Sequence, residues 1–221
     1  MKKVFELINK YIAELVLILI GVYILMPFLS PIALANGQEK FGEGIQKFYV
    51  AFCHQRVERS IFLYGEDGLI TFYSISELTE KGYLPDTDPG HDGFGHGYWG
   101  NDEIGYKVAF CIRDTAMYGA LFLAGVFLVI YSKRKLKYLK LPGWGFALLL
   151  LPMMIDGVFQ SIAEVFEFDW VSQAYIDNIP KRIITGAMFG VGFAFFVFTN
   201  LLEASMEIEE KANKVDSNPK K

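Results

Sequence analysis

The sequence predicts an all-α integral membrane protein, a four-transmembrane-helix bundle with a mixed, partly helical extracytoplasmic segment between helices 1 and 2. Three observations carry this expectation. First, four stretches of the 221-residue chain reach the roughly 20 mostly apolar residues that a bilayer crossing needs. Second, lipid cannot satisfy backbone hydrogen bonds, so spans of this composition are helices. Third, the basic residues are unevenly placed. With both termini cytoplasmic, segments 1–14, 132–142 and 203–221 hold 12 Lys and Arg in 44 residues, against 8 in 91 for segments 36–107 and 164–182. The short run Lys133, Arg134, Lys135, Lys137, Lys140 weighs most, because short loops control orientation most strongly. A multi-pass protein of the cell membrane with both termini cytoplasmic follows. The same basic loop also suits lipid headgroups. A net charge of −4 argues against a nucleic-acid binder, and two cysteines are too few for a disulfide scaffold.

Taken in order, residues 1–14 form a cytoplasmic segment and 15–35 the first transmembrane helix. Ala33-Leu34-Ala35 resembles a signal-cleavage site, but the apolar run is longer than a usual signal core, and a retained anchor is expected. Residues 36–107 are the extracytoplasmic segment. Within it, Phe41 to Leu63 carries apolar residues at helical spacing and reads as one or two helices on the outer face or returning into the bundle. Leu69 to Tyr73 reads as extended, Ser74 to Lys81 as a helical turn, and the Gly-, Pro- and Asp-rich run 84–101 as loop. His91 and His96 in that run are read as solvated, and Tyr98–Trp99 as membrane-interface aromatics. The second span is 108–132, followed by a basic loop at 133–141 and the third span at 142–163. An outer loop at 164–182 leads to the fourth span at 183–202, where Gly186, Gly190 and Gly192 permit close helix contact. Residues 203–221 form a cytoplasmic tail, a solvated helix end.

Polar residues gather at one depth. Charged side chains in a span cost about 2.5–3.5 kcal/mol on insertion scales and usually face an interior. Cys111, Arg113 and Asp114 lie near the outer end of the second span, Asp156 and Gln160 in the outer half of the third, and Arg182 and Thr185 at the outer start of the fourth. Helical spacing puts Cys111, Asp114 and Tyr118 on one face, and Asp156 and Gln160 on another. Together these residues outline one polar pocket opening outward, with Asp156 inside the bundle beside Gln160, Arg113 or Arg182. The segment Cys53-His54-Gln55-Arg56-Val57-Glu58-Arg59 adds more ligand types and charge. Cys53, His54, Cys111 and Asp114 form a candidate four-ligand set for a divalent metal such as zinc. Three other readings of the cysteines stay open: a Cys53–Cys111 disulfide, buried free thiols, and a redox-active pair. Arg113, Asp114, Asp156 and Arg182 also suit a purely structural charge network.

Phe52-Cys53-His54-Gln55-Arg56-Val57-Glu58-Arg59-Ser60 is similar to the opening motif of a family of archaeal and bacterial membrane proteins, domain of unknown function 2085, with Val57 in place of a proline. The element Cys111-Ile112-Arg113-Asp114 followed by Tyr118, the element Asp156-Gly157-Val158-Phe159-Gln160, and Asn178, Arg182, Thr185 and Gly186 resemble three further motifs of that family. The resemblance covers residues 41 to 192 and makes the pocket residues the motif residues. It implies no activity. The family's motif has cysteine or aspartate at the position of Asp114, and the aspartate here shifts the ligand set away from the zinc site that relatives with a cysteine resemble.

Three functions fit this inventory. One is an enzyme of the outer leaflet, performing metal-assisted hydrolysis or transfer on an anionic lipid, with Asp156 as catalytic residue and Arg59, Arg113, Gln160 and Arg182 binding the anion. A second is a structural or assembly subunit whose charges and cysteines are glue. A third is a transporter or ion-binding protein, for which the apolar inner halves offer no visible path.

Overall fold

The computed structural model describes residues 9–53, 55–83, 97–135, 137–166 and 178–216. Four helices are long and apolar enough to cross a membrane: α1 (Ile12–Ala35), α4 (Ile112–Lys135), α5 (Gly143–Val165, its apolar span ending at Ile162) and α6 (Ile179–Asp216, its apolar span ending at Ile208). At 1.5 Å per residue α6 is roughly 57 Å long and overshoots a bilayer of about 30 Å.

Between α1 and α4 the chain is not purely helical. It forms α2 (Glu39–Tyr49), a single 3-10 turn (Val57–Arg59), β1 (Ser60–Gly65), β2 (Gly68–Thr71), α3 (Ile75–Glu80), β3 (Gly100–Asn101) and β4 (Gly105–Cys111). The strands make one antiparallel sheet in the order β2-β1-β4-β3. Glu66 and Asp67 close the β1–β2 hairpin, since Gly65 pairs with Gly68. At the other edge Gly100 and Gly105 adopt φ of 98° and 86°; a Cβ on Gly100 would lie 2.0 Å from the Gly105 carbonyl oxygen. Only glycine fits there.

Several expectations change. The all-α expectation gives way, among the described residues, to six α-helices, four of them candidate spans, plus a four-stranded sheet. Val108–Cys111 belong to β4 rather than to a transmembrane helix, because their side chains are buried on both faces of a strand, and an uninterrupted apolar run does not distinguish strand from helix. Ile61 and Phe62 likewise sit in β1, not in a helix. Tyr98 packs on Tyr83 with ring centroids 4.7 Å apart, and Trp99 lies over the ammonium of Lys107, so this pair closes the sheet's own core. The turn at Ser74–Lys81 is the helix α3, with a capping box in which Ser74 and Glu77 each bond the other's backbone N–H. His91 and His96 lie outside the described residues.

α1, α4 and α6 pack around Ala13, Leu121, Leu128, Val129, Ala194, Phe198 and Leu202. α4 and α6 share the most extensive contact, and α5 rests on α6. One end of these helices is tied together by Lys133–Glu14 (2.7 Å), by Lys140–Glu203 (2.8 Å) and by Ser205 donating to the Lys10 carbonyl (3.3 Å). The sheet occupies the opposite end.

Candidate functional site

The site forms where β4 runs into α4. β3 covers the outer edge of β4 only as far as Tyr106, and side chains satisfy the edge beyond it. The Lys107 N–H donates to the Trp99 carbonyl (2.8 Å), and Gln46 Nε2 donates to the Lys107 carbonyl. Gln55 Nε2 donates to the carbonyls of Ala109 (3.1 Å) and Gln46 (2.9 Å), and the Cys111 N–H donates to Cys53 Sγ (3.2 Å). Both glutamines are fully buried, so these bonds supply partners that water cannot. Gln55 takes a left-handed φ of 49°, which turns its side chain back onto β4. Lys107 Nζ holds the same turn from the far side through the Gln55 carbonyl (2.8 Å). Cys53 is thereby clamped against Cys111.

Asp114 completes the group from the first turn of α4, where the helix dipole favours a carboxylate. One ligand atom from each of Cys53, Cys111 and Asp114 lies within 4.8 Å of the others. Cys111 ends β4 rather than sharing a helical face with Asp114 and Tyr118, yet the strand-to-helix junction still brings its sulfur to the carboxylate. Both cysteines are free thiols, Cys53 buried and Cys111 half-buried. A hydrogen bond with Cys111, then burial, push the Cys53 thiol well above the ordinary thiol range. Burial pushes the Lys107 ammonium down to about 7. His54, the fourth expected ligand, lies outside the described residues.

The charges assemble next to this group. Arg113 Nη2 donates to Asp156 Oδ2 (2.5 Å) and to Gln160 Oε1 (3.2 Å), and Arg182 Nη2 approaches the same Gln160 oxygen at 3.4 Å. Lys181 Nζ lies 2.6 Å from the other Asp156 oxygen. Asp156 is 2% exposed and Arg182 3%, so the pocket is an interior one. Arg182 lies in electrostatic range of Arg59, Arg113, Cys111 and Asp156, which ties the arginines to the thiol group. Arg59, itself buried, shares Glu58 with Arg56 at 3.5 Å and 2.6 Å. Two glycines make this assembly possible. A Cβ on Gly186 would fall 2.6 Å from the Arg113 carbonyl oxygen, and one on Gly190 2.1 Å from that of Met117. α4 and α6 therefore meet backbone to backbone just where Arg113 and Arg182 leave them.

Four participants escape the sequence reading: Lys181, Glu58, Lys107 and Gln46. Lys181 is adjacent to Arg182 and enters the basic count, but nothing in a single sequence orients it toward Asp156. Gln55 lies inside the Phe52–Ser60 motif with no role assigned; a glutamine flanked by a motif cysteine is the one signal that pointed to it.

The family model described as a predicted membrane protein, DUF2085, matches residues 104–196. No curated protein and no solved structure matches the chain. The matched stretch holds β4, α4, α5 and the first half of α6, hence Cys111, Arg113, Asp114, Asp156, Gln160, Lys181 and Arg182; Cys53 and Arg59 precede it. Over residues 104–196 the chain is similar to the predicted membrane proteins of domain of unknown function 2085, the family that its motifs resemble.

Proposed function

We propose that this multi-pass membrane protein is an enzyme that binds a divalent metal through Cys53, Cys111 and Asp114 and acts by hydrolysis or transfer on an anionic lipid. The observation that carries this reading is the convergence of two sulfurs and a carboxylate within 4.8 Å beside the buried Arg59 and Arg182 and the half-buried Arg113. The donor set fits a zinc-like ion. With Zn–S near 2.3 Å, tetrahedral ligand atoms lie about 3.5–4 Å apart, which small side-chain shifts achieve here. Such an ion would be held by Cys53, Cys111 and Asp114. When bound, such an ion supplies Lewis acidity at an ester or anhydride centre.

The chain's own residues supply anion binding and positioning. Arg59, Arg113 and Arg182 offer forked donors that match phosphate or carboxylate oxygens. Gln160 joins Arg113 to Arg182 and sets their spacing. Asp156 has one oxygen on Arg113 and the other on Lys181, so both oxygens are engaged by cations. Its role in this reading is to aim both cations rather than to act as the base. The lipid approaches from the bilayer, both termini are cytoplasmic and the sheet lies outside the cell membrane; the basic count and the clustering of residues 10, 14, 133, 140, 203 and 205 at one end support that orientation.

Elemental analysis of the purified protein tests the metal. About one divalent ion per chain is expected in the wild type, with loss in Cys111→Ser and Asp114→Asn; a metal-free protein with two titratable thiols, or with a Cys53–Cys111 disulfide by non-reducing mass spectrometry, rejects it. Labelling of Ser217→Cys in intact cells, in a background lacking Cys53 and Cys111, tests orientation, and labelling from outside rejects it. The structural-subunit reading is favoured by one observation, the mutual pairing of Arg113, Asp156 and Lys181, and survives if neither metal nor lipid turnover is found.

A further inference from the structure

We propose that the phenylalanine face of α2 is a membrane-contact surface: Phe41, Phe48 and Phe52 rest among the acyl chains of the leaflet bordering the sheet, with Glu43 and Lys47 turned toward its headgroups. The helix presents three distinct sides. Gly42, Ile45, Gln46 and Tyr49 are buried against α1 and β4. Phe41 and Phe48, seven residues apart, share a second side, and Phe52 in the following turn joins them, its ring 5.7 Å from that of Phe48. The three are 56, 54 and 55% exposed, a contiguous aromatic patch of the kind that a soluble surface rarely carries. On the opposite side Glu43 and Lys47 form an exposed 2.8 Å pair.

The level of α2 is fixed by α1, which spans the membrane. Gln46 Nε2 donates to Ser30 Oγ (3.0 Å), and the Tyr49 hydroxyl donates to the Tyr23 carbonyl (2.6 Å), so α2 folds back along α1 between those two levels. Between them α1 exposes Leu25 and Leu29 at 66 and 43%. On a spanning helix these side chains face hydrocarbon. Phe48 and Phe52, the latter with its ring 5.8 Å from that of Tyr23, continue that surface at the same depth, and Phe41 carries it toward the end of α1 near Leu34; lipid is the occupant that already covers it. Lys47 reaches the headgroup layer by extending its stem along the helix. Phe52 precedes Cys53, so the patch ends at the thiol group.

Two measurements on the full-length protein in phosphatidylcholine vesicles test this, and neither depends on metal content. Phe41, Phe48 or Phe52 is replaced by p-benzoylphenylalanine, with Tyr64→p-benzoylphenylalanine at the exposed end of β1 as the comparison. Irradiation should give lipid adducts at the three α2 positions and none above background at residue 64. Equal yields at residue 64, or cross-links to a second chain in place of lipid, overturn the proposal. Hydroxyl-radical footprinting needs no substitution. Phe41, Phe48 and Phe52 should be protected in vesicles while the exposed Phe72, just after β2, is oxidised; oxidation of all four alike overturns the proposal.

Discussion

The two ends of the α4–α6 pair are held by opposite means. Away from the sheet, Leu121, Leu128, Val129, Ala194 and Phe198 fill the space between the helices, and Phe198 lies flat over Gly125. The charges at that end sit at the rim: Lys133 and Lys140 keep 59% of their side-chain surface exposed while pairing with Glu14 and Glu203. Near the sheet the arrangement inverts. The backbones meet at Gly186 and Gly190, and the charges are inside, with side-chain exposures of 12% for Arg113 and 3% for Asp156. Exposed pairs contribute little to stability, whereas buried ions cost desolvation that their attraction only partly offsets. A chain that needed cohesion alone would carry apolar residues at both ends. That it keeps cations, a carboxylate and two thiols at one end is the physical argument for a site there.

Substitutions sharpen or break this contrast. The largest effect is expected at Asp156. Asp156→Asn keeps the shape but leaves Arg113 and Lys181 facing an amide, and breaking a buried pair costs roughly 3–5 kcal/mol. A melting curve in detergent beside wild type measures it, and Glu203→Gln at the rim should move the midpoint far less. Equal shifts for the two variants would erase the distinction between the ends. Next comes the backbone approach. Gly190→Ala forces a Cβ toward the Met117 carbonyl oxygen and should cost about 1–3 kcal/mol, as overpacking does. Gly157→Ala, on the open side of α5, meets nothing within 4 Å and serves as its control.

A third expectation concerns pH. The Lys107 ammonium titrates near 7 in the folded protein, below its unfolded value, so between about 7 and the ordinary lysine range the unfolded chain binds the extra proton. Stability should therefore rise with pH across that window, and Lys107→Met should flatten the rise. A wild-type stability that falls from pH 7 to 9 would show that Lys107 stays charged under the Trp99 ring. The smallest effect belongs to α2. Glu43→Gln removes one exposed pair at i, i+4 spacing and should change the melting free energy by about 0.3–0.5 kcal/mol.

The site was legible in part. Cys53, Cys111, Asp114, Asp156, Gln160 and the arginines stand out because ligand types and charges are rare inside apolar runs, and the structure brings them to one end. Their partners did not stand out. Lys181 beside Asp156 and Gln46 on the Lys107 carbonyl follow from a helix register and a strand edge, and neither is visible in the local chemistry of those residues.

What the sequence by itself determined is the presence of four helices long and apolar enough to span a bilayer, since an apolar run of that length has one satisfactory backbone conformation in lipid. Ser74 and Glu77 determined α3 in the same local way, through a cap that needs no distant partner. Only the tertiary structure decided that Val108–Cys111 is a strand. An apolar run of that length suits either conformation, and pairing of Ser60 with Cys111 and of Phe62 with Lys107 selects the extended one. The junction that this creates, a strand ending at Cys111 and a helix starting at Ile112, sets Cys53, Cys111 and Asp114 together. Contacts across more than forty residues made that choice, because hydrogen bonds along a strand edge are satisfied by other segments and not by the strand's own sequence.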